Sequence, residues 1–305
     1  IEENISSTHP LIKNQYLEKF ESLKKYYRYI NRVEFTHPDY PIKCHLSIVK
    51  SSKKDKDDEI IYERSIQHSD VFKNTEAYEI ELEIDNAMVG PGTQYETTES
   101  ISKPLKNVIK YVLCGLQNTK YPVSYKMLYA IEQQYKQFIL QNRPDKMNYK
   151  LIPKQFIGPG SITLQRKHVQ PIDPASKEPN IQKNYCVTEK ADGERRLLYV
   201  SGNGMIFAIT TNMNFICIGA KTKVSKLYHT MIDCEYIMKN KHGDVIDLYA
   251  AFDVYYIAKQ DQRNLIFMNT SEPTKTRHGM LLKVISALKP ESMITGQPSP
   301  VRIEA

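Results

Sequence analysis

The sequence predicts an α+β fold in which antiparallel strands occupy two tracts divided by a pair of helices. Three observations carry that prediction. Residues 77–85, AYEIELEID, alternate apolar and acidic side chains with a period of two, as a half-solvated strand does. Residues 101–141 hold two apolar stripes at helical spacing. From 184 to 257 the chain is a succession of β-branched and aromatic runs punctuated by turn residues, the pattern of consecutive hairpins.

A chain of 305 residues is long enough for two domains, each with its own core. Its 42 Lys and Arg against 35 Asp and Glu give a formal charge of +7, which favours a polyanionic partner. The 21 tyrosines, with no tryptophan, supply stacking surface. Cys44, Cys114, Cys186, Cys217 and Cys234 are odd in number and widely spaced, which fits neither a disulfide frame nor a zinc site and predicts a reducing compartment. No apolar run is long enough to span a bilayer, and the opening IEENISSTHP has no signal-peptide pattern. A soluble protein of the cytoplasm, with no membrane partner, is the expectation.

In chain order, Leu11, Tyr16, Phe20, Leu23 and Tyr27 predict a helix over 9–30. Strands are expected over 32–36 and 43–50, the second with Cys44, Leu46 and Ile48 on one face and Lys43, His45 and Ser47 on the other. The run SSKKDKDDE, 51–59, reads as a charged loop. In the next strand Tyr78, Ile80, Leu82 and Ile84 share a face, and Glu79, Glu81, Glu83 and Asp85 share the other. Same-face neighbours on a strand lie about 7 Å apart, so this acidic row repels itself unless water or cations intervene. It is therefore either a wet surface or a divalent-metal site.

A helix over about 101–118 places Pro104 in its first turn, where proline is tolerated. A second, over about 124–141, is capped by Ser124 and buries Leu128, Ile131, Tyr135 and Phe138. Composition shifts at NRPDKMNYKLIPKQFIGPG, which predicts a first domain over 1–148 and a second over 149–305. Within the second, short strands are expected over 162–169, 205–211, 214–219, 230–238 and 245–257, and a helix over 277–288.

The second domain is organised around NYCVTEK-ADG-ERRLLYV, residues 184–200. It reads as a strand, an Asp192-Gly193 turn and a buried strand, with Lys190 at the rim beside Asp192, Arg195 and Arg196. A lysine held at the edge of an apolar sheet near two guanidiniums can become a nucleophile, and Asp192 offers a carboxylate to a sugar hydroxyl or a metal.

The string Lys-x-Asp-Gly-x-Arg resembles the active-site signature of the covalent nucleotidyltransferases, the mRNA capping guanylyltransferases and ATP-dependent ligases. Asp233-Cys234-Glu235 resembles the family's Asp-Gly-Glu motif, and Ala251-Phe252-Asp253-Val254 the motif whose aromatic ring stacks on the nucleobase. The acidic strand upstream is similar to the Glu-x-Glu strands of the β-tunnel triphosphatase domain that precedes the transferase in capping enzymes of large cytoplasmic DNA viruses, the African swine fever virus type among them. On this resemblance the first domain is an incomplete antiparallel β-tunnel. The second is a nucleotidyltransferase domain of antiparallel sheets flanked by helices.

The resemblance implies that Lys190 forms a covalent adduct with GMP from GTP and passes GMP to an RNA 5′-diphosphate end. Asp192, Arg195, Glu235, Phe252 and Asp253 would then bind the nucleotide. Glu79, Glu81 and Glu83 would hold Mg²⁺ or Mn²⁺, with Arg32, Lys43 and Lys50 on the triphosphate. It further implies action in the host cytoplasm or the virion and leaves room for a methyltransferase domain or a regulatory subunit. The tunnel's other acidic strand and the family's later Glu-Gly and Lys-x-Lys motifs are expected outside this sequence. The alternative is an ATP-dependent DNA or RNA ligase with a lysyl-AMP intermediate, which gives no reason for the acidic strand.

Overall fold

In the computed structural model, residues 6, 8–10, 12–13, 19–140, 148–172, 174–182 and 185–305 are described. The chain divides into two units, Ile1–Tyr111 and Val112–Ala305.

The first unit is built on an antiparallel three-stranded sheet, β1 (Arg28–His37), β2 (Tyr40–Ser51) and β3 (Ala77–Ile84), in that spatial order. Arg32 lies opposite Ser47, and His45 opposite both Glu34 and Glu81, so the polar rows of all three strands share one face. The alternation read from the sequence assigns side chains to faces as the register does. Within β2, which face is the wetter one comes out reversed. His45, Ser47 and Val49 are buried, while Phe35 is 55% and Tyr78 67% exposed on the apolar face. Long arginine and glutamate side chains from β1 and β3 lie over the polar residues of β2 and shield these from water, while staying partly exposed themselves. Lys50 stands on the apolar face, away from the glutamates with which it was grouped.

The helix expected over 9–30 falls partly outside the described residues. Within them, residues 19–27 form turns and a bridge between Lys25 and Glu63, and β1 begins at Arg28. Tyr27, Tyr29 and Val33 fit a period of two as well as a helical one, and pairing with β2 decides between them.

The helices α1 (Thr98–Gln117) and α2 (Tyr125–Ile139) form as expected. Ser124 caps α2 by accepting from the Met127 N–H at 3.2 Å. The two compact units meet within α1 rather than near 148, and α2 goes with the second unit because Ile131, Tyr135 and Phe138 pack on its sheet.

That sheet has eight strands: β4 (Glu194–Val200), β5 (Met205–Thr210), β6 (Phe215–Lys221), β7 (Thr230–Lys239), β8 (Val245–Ile257), β9 (Gln260–Asp261), β10 (Glu291–Ser292) and β11 (Arg302–Glu304). Spatially the order is β10-β6-β5-β4-β7-β8-β11, with β9 on β8, and only β11 runs parallel to its neighbour. A helix, α3 (Arg277–Leu288), packs Leu281, Val284 and Leu288 on one face, and α2 covers the other. Buried on both faces, β4 reads as the continuous apolar run LLYV.

Two expected strands are absent. Residues 185–193 form no ladder, and 162–169 hold a 3₁₀ turn over 166–168 with no strand before it. Both edges of β4 are taken by β5 and β7, so the segment carrying Lys190 has no edge of β4 left to pair with. It enters the sheet from outside, with Val187 fully exposed.

Candidate functional site

Gly193 marks the point where the exposed Lys190 segment becomes β4. Its N–H donates to Glu235 Oε1 at 3.1 Å, tying the Lys-x-Asp-Gly segment to β7. A Cβ on Gly193 would lie 2.3 Å from the Tyr236 carbonyl oxygen. Glycine is needed here for close approach of two backbones, and not for the positive φ of a tight turn.

Two residues on, Arg195 is fixed from three sides. Nε and Nη2 donate to the Asp233 carboxylate at 3.1 and 2.6 Å, and Nη1 donates to the Pro159 carbonyl at 2.6 Å. Tyr255 completes the cluster by donating its hydroxyl to Asp233 Oδ2 at 2.5 Å. The Asp233 side chain is wholly buried. Burial pushes its carboxyl above the usual range while Arg195 and Tyr255 pull it back, and in the other direction the bond to Asp233 raises Arg195. For Asp233 burial is the larger effect, as a carboxylate with no exposed surface requires. Gly158 fits against this cluster because an added Cβ would meet Arg195 Nη2 at 2.5 Å.

On β8, Asp253 lies opposite Asp233, and Phe252 occupies the bulge beside it, 39% exposed. The Asp253 carboxylate is engaged by Arg277 Nε and Nη2 at 2.9 and 3.1 Å, a strut between β8 and the start of α3. Cys234, where the motif has glycine, is buried in the core beneath α3.

The structure thus gathers Arg195, Glu235, Phe252 and Asp253 on adjacent strands, and sets Lys190 and Asp192 in the exposed segment leading into them. Sequence reasoning missed Asp233 as the partner of Arg195, along with Tyr255, Pro159 and Arg277. The Gly158-Pro159-Gly160 run and the Asp-x-Tyr spacing of 253–255 were the available signals.

The first unit has a different arrangement. Arg28 Nη2 meets both Glu79 oxygens at 2.9 Å, and Arg32 Nη2 meets Glu81 at 2.5 Å. Arg32 also donates to Ser47 Oγ at 3.0 Å and reaches His45 Nδ1 at 3.3 Å, while His45 Nε2 bonds Glu34 at 2.9 Å. Lys43 is 3.7 Å from Asp85, and Lys50 donates to the Phe72 carbonyl. Ligand atoms of His45, Glu81 and Glu83 come within 4.8 Å of one another, a donor set that fits a divalent cation. Glu79 lies outside that cluster and pairs with Arg28, as Glu81 pairs with Arg32. Arg28, Glu34 and His45 were not singled out from the sequence, although the alternation of β1 and β2 places them on this face.

An antiparallel sheet flanked by helices, with a Lys-x-Asp-Gly-x-Arg segment entering its central strand, defines a catalytic domain of the nucleotidyltransferase kind. Residues 122–299 match the profile of the mRNA capping enzyme catalytic domain, and the chain belongs to that family. It is also similar to a probable mRNA-capping enzyme of Acanthamoeba polyphaga mimivirus, 25% identical over 186 residues, or 61% of this chain. The matched part is 13% of that relative's length. Every residue named in the second unit's site lies inside the family match, and the three-stranded sheet lies outside it.

Proposed function

We propose that this chain carries the guanylyltransferase step of mRNA capping, with Lys190 as the nucleophile. The observation that carries the reading is the entry of Lys-x-Asp-Gly-x-Arg into β4, with Gly193 bonded to Glu235 and Arg195 locked on Asp233. Lys190 Nζ attacks the α-phosphorus of GTP, a P–N bond forms, the bond to the β-phosphate oxygen breaks and pyrophosphate leaves. The 5′-diphosphate of RNA then attacks the same phosphorus and releases the lysine. Rigid anchoring of Arg195 and Glu235 at the strand entrance favours a fixed nucleotide pose, so orientation is the main contribution of these residues. Glu235 and Asp192 supply carboxylates suited to Mg²⁺ or Mn²⁺, which would draw charge from the phosphoryl oxygens. Phe252 offers an exposed ring face for the base. Asp253 acts as its brace through Arg277 rather than as a direct contact.

The three-stranded sheet supports an accompanying RNA 5′-triphosphatase, since acids and arginines alternate across one face. There His45, Glu81 and Glu83 would hold the divalent cation, with Arg28, Arg32 and Lys43 facing the phosphates. This assignment replaces Glu79 by His45 as ligand and omits Lys50. The host cytoplasm is the proposed site of action, and a methyltransferase or regulatory subunit a proposed partner. The deciding experiment is incubation of the protein with labelled GTP or ATP. An acid-labile, alkali-stable adduct from GTP supports capping, and an adduct from ATP alone moves the assignment to a ligase.

A further inference from the structure

At the end of the second unit's sheet where the Lys190 segment enters, two cavities of about 600 and 520 Å³ adjoin at Arg196, Ile216 and Asn118 and are taken together as a groove. Arg196 stands at their junction. Its guanidinium lies 4.0 Å over the Tyr236 ring, with Nη2 on Glu194 at 2.7 Å and Nη1 reaching the Tyr249 hydroxyl at 3.4 Å. The residue is buried, and its Nε has no hydrogen-bond partner among the described residues. At the mouth, Tyr125 and Tyr129 stand one turn apart on α2 and are 59% and 58% exposed, and Lys150 lies exposed beside them.

We propose that this groove binds single-stranded RNA, the strand whose 5′ end accepts GMP. The inference rests on the guanylyltransferase reading for the identity of the ligand, and on the groove's own chemistry for its class. The acids in the walls are already matched. Glu194 pairs with Arg196, Glu132 with Lys136 at 2.7 Å, and Asp247 with the Tyr236 hydroxyl at 2.6 Å and Lys120 at 3.7 Å. What remains for a ligand is the exposed ring surface of Tyr125 and Tyr129 and the ammonium of Lys150. Exposed rings with interspersed cations hold a strand by stacking, which tolerates any base, and by charge on the phosphates. The walls also expose Leu116, Met238 and Val245, so an apolar protein segment is the competing occupant, and unchanged RNA affinity in the double alanine variant would favour it. Glu194 lines the groove four residues after Lys190, which places the groove next to the lysine segment.

The test uses the full chain, with Tyr125→Ala/Tyr129→Ala, Tyr125→Phe/Tyr129→Phe and Lys150→Ala variants and a short fluorescent 5′-diphosphate RNA. The double alanine variant is expected to weaken RNA binding about tenfold or more and the double phenylalanine variant to keep it. Lys150→Ala should weaken binding and flatten its salt dependence. In all three, adduct formation from GTP alone should match wild type while KM for RNA follows the binding loss. Unchanged RNA affinity in the alanine variant overturns the proposal, as does equal loss in the phenylalanine variant, because stacking would then not be the contact. A wild-type protein that binds RNA here but forms no adduct with GTP would refute the guanylyltransferase reading and leave the groove assignment standing.

Discussion

Replacing Arg195 by Met isolates the buried charge on which the strand entrance depends. Asp233 has no exposed side-chain surface and its carboxyl is held down only by Arg195 and by the Tyr255 hydroxyl. Removing one partner of such a pair costs about 3–5 kcal/mol. The lower end applies, about 3 kcal/mol near neutral pH, since Tyr255 remains and Arg195 is itself partly solvated. For a unit of this size that corresponds to a fall in Tm of about 6–12 °C. The sign with pH follows from linkage. Asp233 already has a raised folded-state pKa, and losing Arg195 raises it further. Above the ordinary carboxylate range the folded variant therefore binds more protons than the unfolded chain, and its stability falls as pH rises toward the new pKa. Thermal melts at pH 5 and pH 8 should show the smaller deficit at pH 5, where a larger share of Asp233 carries its proton. Arg195→Met/Asp233→Leu should recover most of the stability and still fail to form the adduct. A deficit below about 1 kcal/mol, or one equal at both pH values, would refute the account of a charge held by Arg195.

Lys190→Arg keeps the charge but offers no unprotonated amine, so GTP should still bind and no covalent GMP should be detected by gel autoradiography; a persisting adduct would mean that another lysine is the nucleophile. Gly193→Ala forces a Cβ into the Tyr236 carbonyl, and the expected outcome is a stability loss of about 1–3 kcal/mol with the adduct rate reduced at least tenfold. A normal rate would show that the β4–β7 contact is not needed for chemistry. Glu81→Ala in the intact protein should abolish γ-phosphate release from triphosphate RNA and spare the GMP adduct. Undiminished release would return the acidic strand to a solvated surface.

Much of the fold was legible because period and turn chemistry agree with the tertiary contacts. The strands from 205 to 257 and the helix 277–288 sit within a few residues of where alternation, turn residues and the Leu281–Leu288 stripe place them. The failures have specific causes. Residues 185–190 alternate like a strand, but alternation cannot reveal that both edges of β4 are occupied by β5 and β7, which lie later in the chain. In β2 the apolar residues looked like the inner face, yet cross-strand arginines bury His45 and Ser47 instead. Arg195 stood out from its motif, whereas Asp233, its partner, is 38 residues away and becomes visible only through the β4–β7 register.

That register would also let one short segment serve both the proposed nucleotide site and the proposed RNA groove. Successive residues of a strand point to opposite sides. Arg195 turns to the Asp233–Tyr255 cluster beneath the proposed nucleotide site, and Arg196 turns to Tyr236 and Tyr249 at the junction of the proposed RNA groove. Both guanidiniums follow directly on the Gly193 contact that anchors the lysine segment to Glu235. A slip of one residue in β4 against β7 would exchange the two arginines and disconnect both sites at once, because the side-chain period is two. The tight approach of Gly193 to the Tyr236 carbonyl opposes such a slip, since any residue with a Cβ brought to that position would clash. The glycine of the motif thus works as a register pin, and on the proposed reading the spacing from Lys190 to Arg196 would set the positions of nucleotide and acceptor together.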